Sequence, residues 1–169
     1  MMTEIIRQYD FNLAYAKVLV EDLTEEQMTV RPCSGLENHP AFTLGHLVTA
    51  SAMMLEDLGG IYQVPEGWTE LFVRKGPGDP RLPEVEAGKY PAKKKLIEEF
   101  SLQHEQLRRF ISGCNPSTLS GSFTWRFSGY FPTLLDLLVF MCINHEAMHL
   151  GQLAAWRRAM NLPSALGRM

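Results

Sequence analysis

The chain has 169 residues, of which 46% are hydrophobic, and it carries a formal net charge of −3 at pH 7. A chain of this size can bury a sizeable core but gives no reason to expect two domains, so we predict a single domain over residues 1–169. The slightly acidic balance and the scattered basic residues argue against a nucleic-acid partner and against an anionic membrane surface.

The N-terminal segment MMTEIIRQYD lacks the basic stretch and the apolar run of a secretory signal. The most apolar stretch, residues 134–143, contains Asp136 and is too short to span a bilayer. The three cysteines, Cys33, Cys114 and Cys142, form no Cys-x-x-Cys pair, so neither a disulfide framework nor a cysteine zinc knuckle is indicated. We therefore expect a cytoplasmic protein with reduced thiols.

Two helices and a long connection are predicted in the first half of the chain. Apolar residues recur every three or four positions from Met2 to Leu23, which predicts an amphipathic first helix. A second stripe runs from Pro40 to Leu58, with a proline at its start and two glycines after its end. From Gly59 to Lys89 the sequence is rich in Gly and Pro and shows no sustained periodicity, which predicts a long irregular crossover.

Two further helices are predicted in the second half. One begins at Pro91 and ends at Gly113, and the other is capped by Thr133 and runs to about Met160. Alternating aromatic residues around Trp125 permit a short extended stretch between them. The predicted fold class is all-α, a four-helix bundle with a long crossover between helices 2 and 3, in which neighbouring helices need not be antiparallel.

The fourth helix contains a His-Glu-x-x-His pattern at His145 and His149. Residues four apart on a helix lie about 6 Å apart at Cβ, so both imidazoles can bind one divalent metal ion. The pair also continues an apolar stripe that includes Leu138 and Trp156, so we expect both side chains to face the bundle interior. The alternative is two partly buried histidines that bond to backbone carbonyls or to Gln152 without a metal.

The same pattern is the motif of the zincin proteases, in which the glutamate, here Glu146, acts as a general base. Zincins take their third ligand from a residue C-terminal to the motif, whereas residues 150–169 contain no His, Asp or Glu. A protease is therefore disfavoured, and any third ligand must lie upstream. Glu146 remains a candidate general base, although a role in orienting a ligand or in joining helices is favoured, because it lies about 100° around the helix from His145.

His46 is the best upstream candidate for the third ligand. It lies beside the apolar stripe of the second helix, and Gly45 next to it leaves room for a close neighbour. His39 precedes a proline and is expected near solvent at the start of that helix. His104 and Cys142 fall on apolar stripes and are expected to be core residues, with metal ligation as the alternative.

Two segments resemble the signature regions of the DinB-like superfamily of small metalloenzymes. They are AFTLGHL, residues 41–47, and NHEAMHLGQLAAWRRAMNLP, residues 144–163, and the resemblance covers most of the chain. It implies a four-helix bundle, a metal site formed by His46, His145 and His149, and often a homodimer. Relatives in this superfamily include transferases that use mycothiol or bacillithiol and a mycothiol-dependent maleylpyruvate isomerase, while many other members have no established substrate.

Three neutral imidazoles leave a divalent ion with an open position, as in catalytic zinc sites. Such an ion lowers the pKa of water or of a thiol. We therefore predict a metal-dependent transferase that activates a low-molecular-weight thiol for a small-molecule substrate, in a pocket between helices 2 and 4 that the crossover covers. The alternatives are a metal-dependent hydrolase, a non-catalytic binding or stress-response module, and a bundle that the metal only stabilises. Zinc or nickel is the favoured metal, with iron and copper as alternatives.

Arg157 and Arg158, at the end of the fourth helix, are expected to be solvated, and binding of an anionic substrate is the alternative.

Overall fold

The computed structural model describes residues 2–76 and 79–169. Its α-helices, in chain order, are α1 Met2–Val20, α2 Pro40–Asp57, α3 Trp68–Phe72, α4 Lys93–Gly113, α5 Pro116–Leu119, α6 Leu134–Val139 and α7 Glu146–Ala159. Short 3-10 turns cover Glu26–Thr29, Ala87–Lys89 and Leu166–Arg168. Within the described ranges, β pairing is limited to one isolated antiparallel bridge between Ser122 and Thr133. The all-α prediction is therefore confirmed.

The last long helix is continuous, because a π-helical segment, Phe140–His145, joins α6 to α7. We call the whole stretch from Leu134 to Ala159 the C-terminal helix. Its start is fixed by a capping box, in which Thr133 Oγ1 accepts a hydrogen bond from the Asp136 amide and the Asp136 carboxylate accepts one from the Thr133 amide. The cap predicted at Thr133 is confirmed. The π segment was not predicted, and such segments are frequent at functional sites.

Helix α1 runs parallel to the C-terminal helix. The Asn12 side chain donates to the carbonyl of Cys142 at 3.0 Å, and further along both helices Arg157 donates to the carbonyl of Leu19 at 2.8 Å. Residue numbers therefore rise together in the two helices.

Helix α2 runs the opposite way. Asn38, just before α2, bonds to Gln152, whereas His46 inside α2 faces His145, so numbers rise in one helix as they fall in the other. Helix α4 is antiparallel to α1. Tyr9, near the start of α1, donates to Gln103 in the middle of α4, whereas the carbonyl of Leu23, just after α1, accepts from Lys93 at the start of α4. Because α2 and α4 pack against each other in the same direction, the chain between them must return along the whole bundle.

The described part of the crossover between α2 and α4 is irregular as predicted, except at α3 and at the 3-10 turn Ala87–Lys89. The Phe72 side chain, on α3, is fully buried and lies over Gly45 of α2. A Cβ atom at position 45 would overlap the Phe72 ring, so only glycine permits this contact. The prediction that Gly45 admits a close neighbour is confirmed, and the neighbour is the crossover itself.

His39 and Arg157 were both expected near solvent, and both are buried. His39 caps α2 as predicted, since its Nδ1 accepts from the Phe42 amide at 3.2 Å, but the crossover covers it, and the backbone carbonyl of Glu84 accepts from Nε2 at 2.8 Å. Arg157 is 1% exposed and donates to both carboxylate oxygens of Asp22 at 2.6 and 2.8 Å. Prediction failed here because the covering partners are distant in sequence. Arg158 is exposed, as expected. Among residues 2–76 and 79–169, no helix has the length and apolar character that crossing a bilayer requires.

Candidate metal centre

Three histidines from two helices meet at one point. His46 on α2 and His145 and His149 on the C-terminal helix each offer one ring nitrogen, and these three nitrogens lie within 4.8 Å of one another. The ring centroids are 5.5 Å apart for His46 and His145, 4.8 Å for His46 and His149, and 4.6 Å for His145 and His149. Small rotations of these half-buried side chains would bring the nitrogens to the spacing of ligands on one ion. We call these residues the histidine triad.

The orientation of His46 is fixed by the crossover. Its Nδ1 lies 3.1 Å from the carbonyl oxygen of Phe72, so Nδ1 carries the proton and donates it. The lone pair is then on Nε2, which is the arrangement usual for a metal-binding histidine. Phe72 can reach this position because Gly45 has no side chain.

The triad is suited to binding a cation in its neutral form. Burial, together with the nearby imidazoles, lowers the pKa of His149 to about 3 and that of His145 to about 4. Burial also lowers the pKa of His46, with a smaller contribution from Arg74. All three rings are therefore neutral at physiological pH, and Nδ1 of His149 is buried without a hydrogen bond. A divalent cation is a chemically appropriate partner for three adjacent neutral imidazoles.

A cavity of about 560 Å³ opens at the triad. Its wall combines α2, the crossover, the connection between α5 and α6, and the C-terminal helix, which contribute among others Phe42, Arg74, Leu82, Trp125, Arg126, Phe140 and Met148. The second and fourth predicted helices are α2 and the C-terminal helix, and the pocket predicted between them and covered by the crossover is confirmed. The connection between α5 and α6 also contributes to the wall, with Trp125, Arg126 and Phe127.

Glu146 and His104 meet in the core rather than at the cavity. Both are buried, and Oε1 of Glu146 lies 2.9 Å from Nε2 of His104. The His104 ring also stacks on Tyr9, with centroids 3.7 Å apart and an interplanar angle of 13°. Burial raises the pKa of Glu146, and His104 opposes the shift. The carboxylate is not among the groups that line the cavity, and its role as general base remains a prediction.

The predicted stripe on the C-terminal helix is wrong in one respect. Steps of four residues lead from Leu138 through Cys142 to Glu146, and these three side chains form the buried face. His145 and His149 lie one position away, on the neighbouring face that lines the cavity. Leu138 and His145 are seven residues apart and would share one face of a regular α-helix, but the π segment Phe140–His145 adds one residue to a turn, so the triad borders the core instead of lying in it. Cys142 is buried, and it is not part of the triad.

Two comparisons with known proteins agree with this architecture. Residues 8–153, which include the whole triad, match a family model described as the DinB superfamily. The crystal structure of a conserved protein from Enterococcus faecalis has a TM-score of 0.74 and 16% sequence identity, covering 94% of this chain and 96% of that one. At this identity the structural likeness shows the fold alone. No curated protein sequence matches the chain significantly.

Proposed function

The chain belongs to the DinB superfamily, and from that premise we propose that it is a metal-dependent enzyme that transfers a low-molecular-weight thiol to a small electrophilic substrate. The observation that carries the proposal is the position of the triad, three neutral imidazoles in the wall of a cavity of about 560 Å³. A metal site that only stabilised the fold would not need a cavity large enough for a substrate.

In this proposal the histidine triad holds a cation, and the other residues of the cavity wall enclose the substrate. When bound, a divalent ion supplies positive charge that favours the ionised form of a thiol or water molecule in the cavity. The apolar wall formed by Trp125, Phe140 and Met148 holds the carbon part of the substrate and limits the access of water. In the transfer, a bond forms between the thiol sulfur and the electrophilic carbon, the leaving group departs with its electron pair, and the thiol proton passes to solvent.

We propose a positioning role for Glu146. It follows His145 directly, and its contact with His104 joins the C-terminal helix to α4. Anchoring the helix in this way fixes the direction of the adjacent imidazole. We also propose a homodimer in the cytoplasm, as the family resemblance implies, and light scattering of the purified protein tests the dimer.

Metal analysis tests the site itself. Protein purified without a histidine tag is expected to bind one zinc or nickel ion per chain, and His46→Ala and His149→Ala are expected to abolish binding. His39→Asn removes a histidine outside the triad while retaining an acceptor for the Phe42 amide; it is the control and should keep the metal. Unchanged metal content in the His46 variant would overturn the triad.

Turnover tests the reaction. The metal-loaded protein would be offered 1-chloro-2,4-dinitrobenzene together with cysteine, glutathione or bacillithiol, and formation of the thioether would be followed by absorbance. Metal-dependent adduct formation that is lost in His149→Ala supports the transferase. Metal-dependent hydrolysis of an ester without any thiol would select the hydrolase instead. No reaction with any combination would count against an enzyme and favour a binding module.

A further inference from the structure

The cavity contains two cationic groups that are not neutralised. The guanidinium groups of Arg74 and Arg126 both line it, and neither forms an ion pair with any residue in the described ranges. Arg81 in the same wall differs, because Asp79 binds it at 2.5 Å. Arg74 is half-buried, and holding a cation there without a counter-charge costs free energy. Arg126 is exposed, but it adds a second unpaired positive charge to the same cavity, and the two charges together indicate an anionic ligand.

Arg74 is held in a position from which it can bind an anion. Its guanidinium carbon lies 4.2 Å from the centroid of the Phe42 ring, and that ring is stacked on His46 with centroids 5.6 Å apart. A guanidinium that stacks on an aromatic face still has its N–H groups free around its edge. One of these reaches the carbonyl of Leu71 at a long 3.4 Å, which leaves the others for a ligand.

Arg126 reaches the same region from the other connection. Its Nη1 would lie 2.9 Å from a Cβ at position 76, so its guanidinium lies directly against Gly76, two residues after Arg74. The absence of a side chain at Gly76 therefore permits the close approach. Trp125 and Phe127, on either side of Arg126, also line the cavity.

The acidic residues in the cavity wall do not cancel this charge. Asp79 is held by Arg81 and by the Lys75 amide, and the Glu37 carboxylate accepts a hydrogen bond from the Gly35 amide at 2.7 Å. A second cavity of about 300 Å³ adjoins the first, and its wall again includes His46, Arg74 and Arg126, together with Asp57, whose carboxylate forms no ion pair with either arginine. The two arginines therefore lie where the cavities meet, beside the triad.

We propose that Arg74 and Arg126 together bind a carboxylate on the small molecule whose reactive end lies at the triad. The inference rests on the proposed function, since it names the substrate class of the same site. The ligand is an acid with an apolar body, because Met141, Trp125 and Phe140 line the same cavity as the triad and the two arginines. The forked N–H groups of arginine match a carboxylate in two-point contact.

The test uses the cobalt-loaded protein, in which binding of a thiolate produces a visible charge-transfer band. It is titrated with ω-mercapto acids from 3-mercaptopropionate to 6-mercaptohexanoate and with the mercapto alcohols of the same lengths. At low ionic strength one acid is expected to bind about tenfold more tightly than its alcohol. Arg74→Gln and Arg126→Gln should each remove most of that preference and leave the alcohol unchanged. Arg158→Gln, an exposed arginine outside the cavity, is the control.

The outcomes separate this inference from the proposed function. Equal affinity of acids and alcohols at every length, or a preference that survives in the Arg74→Gln/Arg126→Gln double variant, overturns the carboxylate site. If no thiol changes the cobalt spectrum, the thiol reaction fails, and calorimetry with hexanoate and hexanol tests the arginines alone. Saturable hexanoate binding that both substitutions weaken supports the site, and its absence overturns it. Tighter binding of hexylphosphonate than of hexanoate would replace carboxylate by phosphonate as the recognised group.

Discussion

The backbone carbonyl of Phe72 lies 3.1 Å from Nδ1 of His46, so a residue of the crossover determines which nitrogen of a helix residue faces the other two histidines. That contact depends on Gly45, over which the Phe72 ring lies. The histidine triad therefore has a third structural component, the crossover, besides its two helices.

Gly45→Ala should weaken both the fold and the metal site. The added methyl group would overlap the Phe72 ring and push α3 away from α2, at a cost of about 1–3 kcal/mol in the free energy of unfolding. His46 would lose its fixed tautomer, so metal affinity should fall as well. Urea unfolding and metal titration measure the two effects.

Gly151→Ala is the matched control for this variant. Gly151 also lies inside a helix, α7, but a Cβ there meets nothing within 4 Å. Alanine should leave metal affinity unchanged and stabilise the helix by up to about 1 kcal/mol. Equal effects of the two substitutions would contradict the proposed link between Gly45 and His46.

Metal should stabilise the folded chain through the triad. A ligand that binds only the folded state at 100 times its dissociation constant adds about 2.7 kcal/mol. We expect zinc to raise the urea midpoint of the wild type and to leave that of His46→Ala unchanged. An equal rise in both proteins would place the metal elsewhere.

Stability should depend on pH through His39. Burial lowers its pKa from 6.5 in the unfolded chain to about 4 in the folded protein. Below pH 6.5 the unfolded chain therefore takes up a proton that the folded protein excludes, so the free energy of unfolding falls as the pH decreases from 6.5 to about 4. The loss attributable to His39 is at most about 3 kcal/mol.

His39→Asn isolates this contribution. Asparagine can still accept the helix-capping bond from the Phe42 amide but does not titrate. Urea unfolding in EDTA from pH 7 to pH 4 should show a smaller loss of stability for the variant than for the wild type. Identical pH profiles would show that His39 is protonated without cost.

The contact between Glu146 and His104 should matter for stability more than for chemistry. Glu146→Leu removes the one carboxylate beside a buried imidazole and should lower the free energy of unfolding by about 3 kcal/mol. The Glu146→Leu/His104→Phe double variant should recover part of that loss, because phenylalanine can stack on Tyr9 in the same way. Metal content should stay near one ion per chain in both.

A general base would behave differently at this position. Glu146→Gln would then reduce turnover by a factor of about 100 or more, change its pH profile and leave unfolding unaffected. Positioning predicts a smaller loss of turnover with the pH profile retained.

The four long helices could be predicted because their apolar residues recur at helical spacing over about twenty residues. The triad was accessible for a related reason: His145 and His149 are four residues apart, and His46 lies beside the apolar stripe of the second helix, next to Gly45. Helix α3 has only five residues, too few to show a period, and it is stabilised by the distant contact of Phe72 with Gly45. The π segment was missed because apolar spacing does not reveal one additional residue within a turn.

The arginines of the cavity were missed for another reason. Arg74 lies among glycines and prolines and Arg126 among aromatic residues, and neither neighbourhood carries a recognisable motif. Arg157, in contrast, belongs to a motif-bearing segment and proved to be a structural partner of Asp22. Whether an arginine faces a cavity depends on how distant segments pack together, and the pattern of residues along the chain does not show this.

The π segment has one further consequence for the C-terminal helix. One extra residue changes the rotational phase of everything beyond it by about 100° relative to a regular α-helix. At the start of the segment, Phe140 packs against Trp125 and Phe131, while beyond its end His149 faces His46 of α2. A single uninterrupted α-helix would have to satisfy both demands with one phase. The π segment separates these two demands. The aromatic wall of the cavity can therefore change in evolution without rotating the histidine triad about the helix axis, and the triad can change without rotating the aromatic wall.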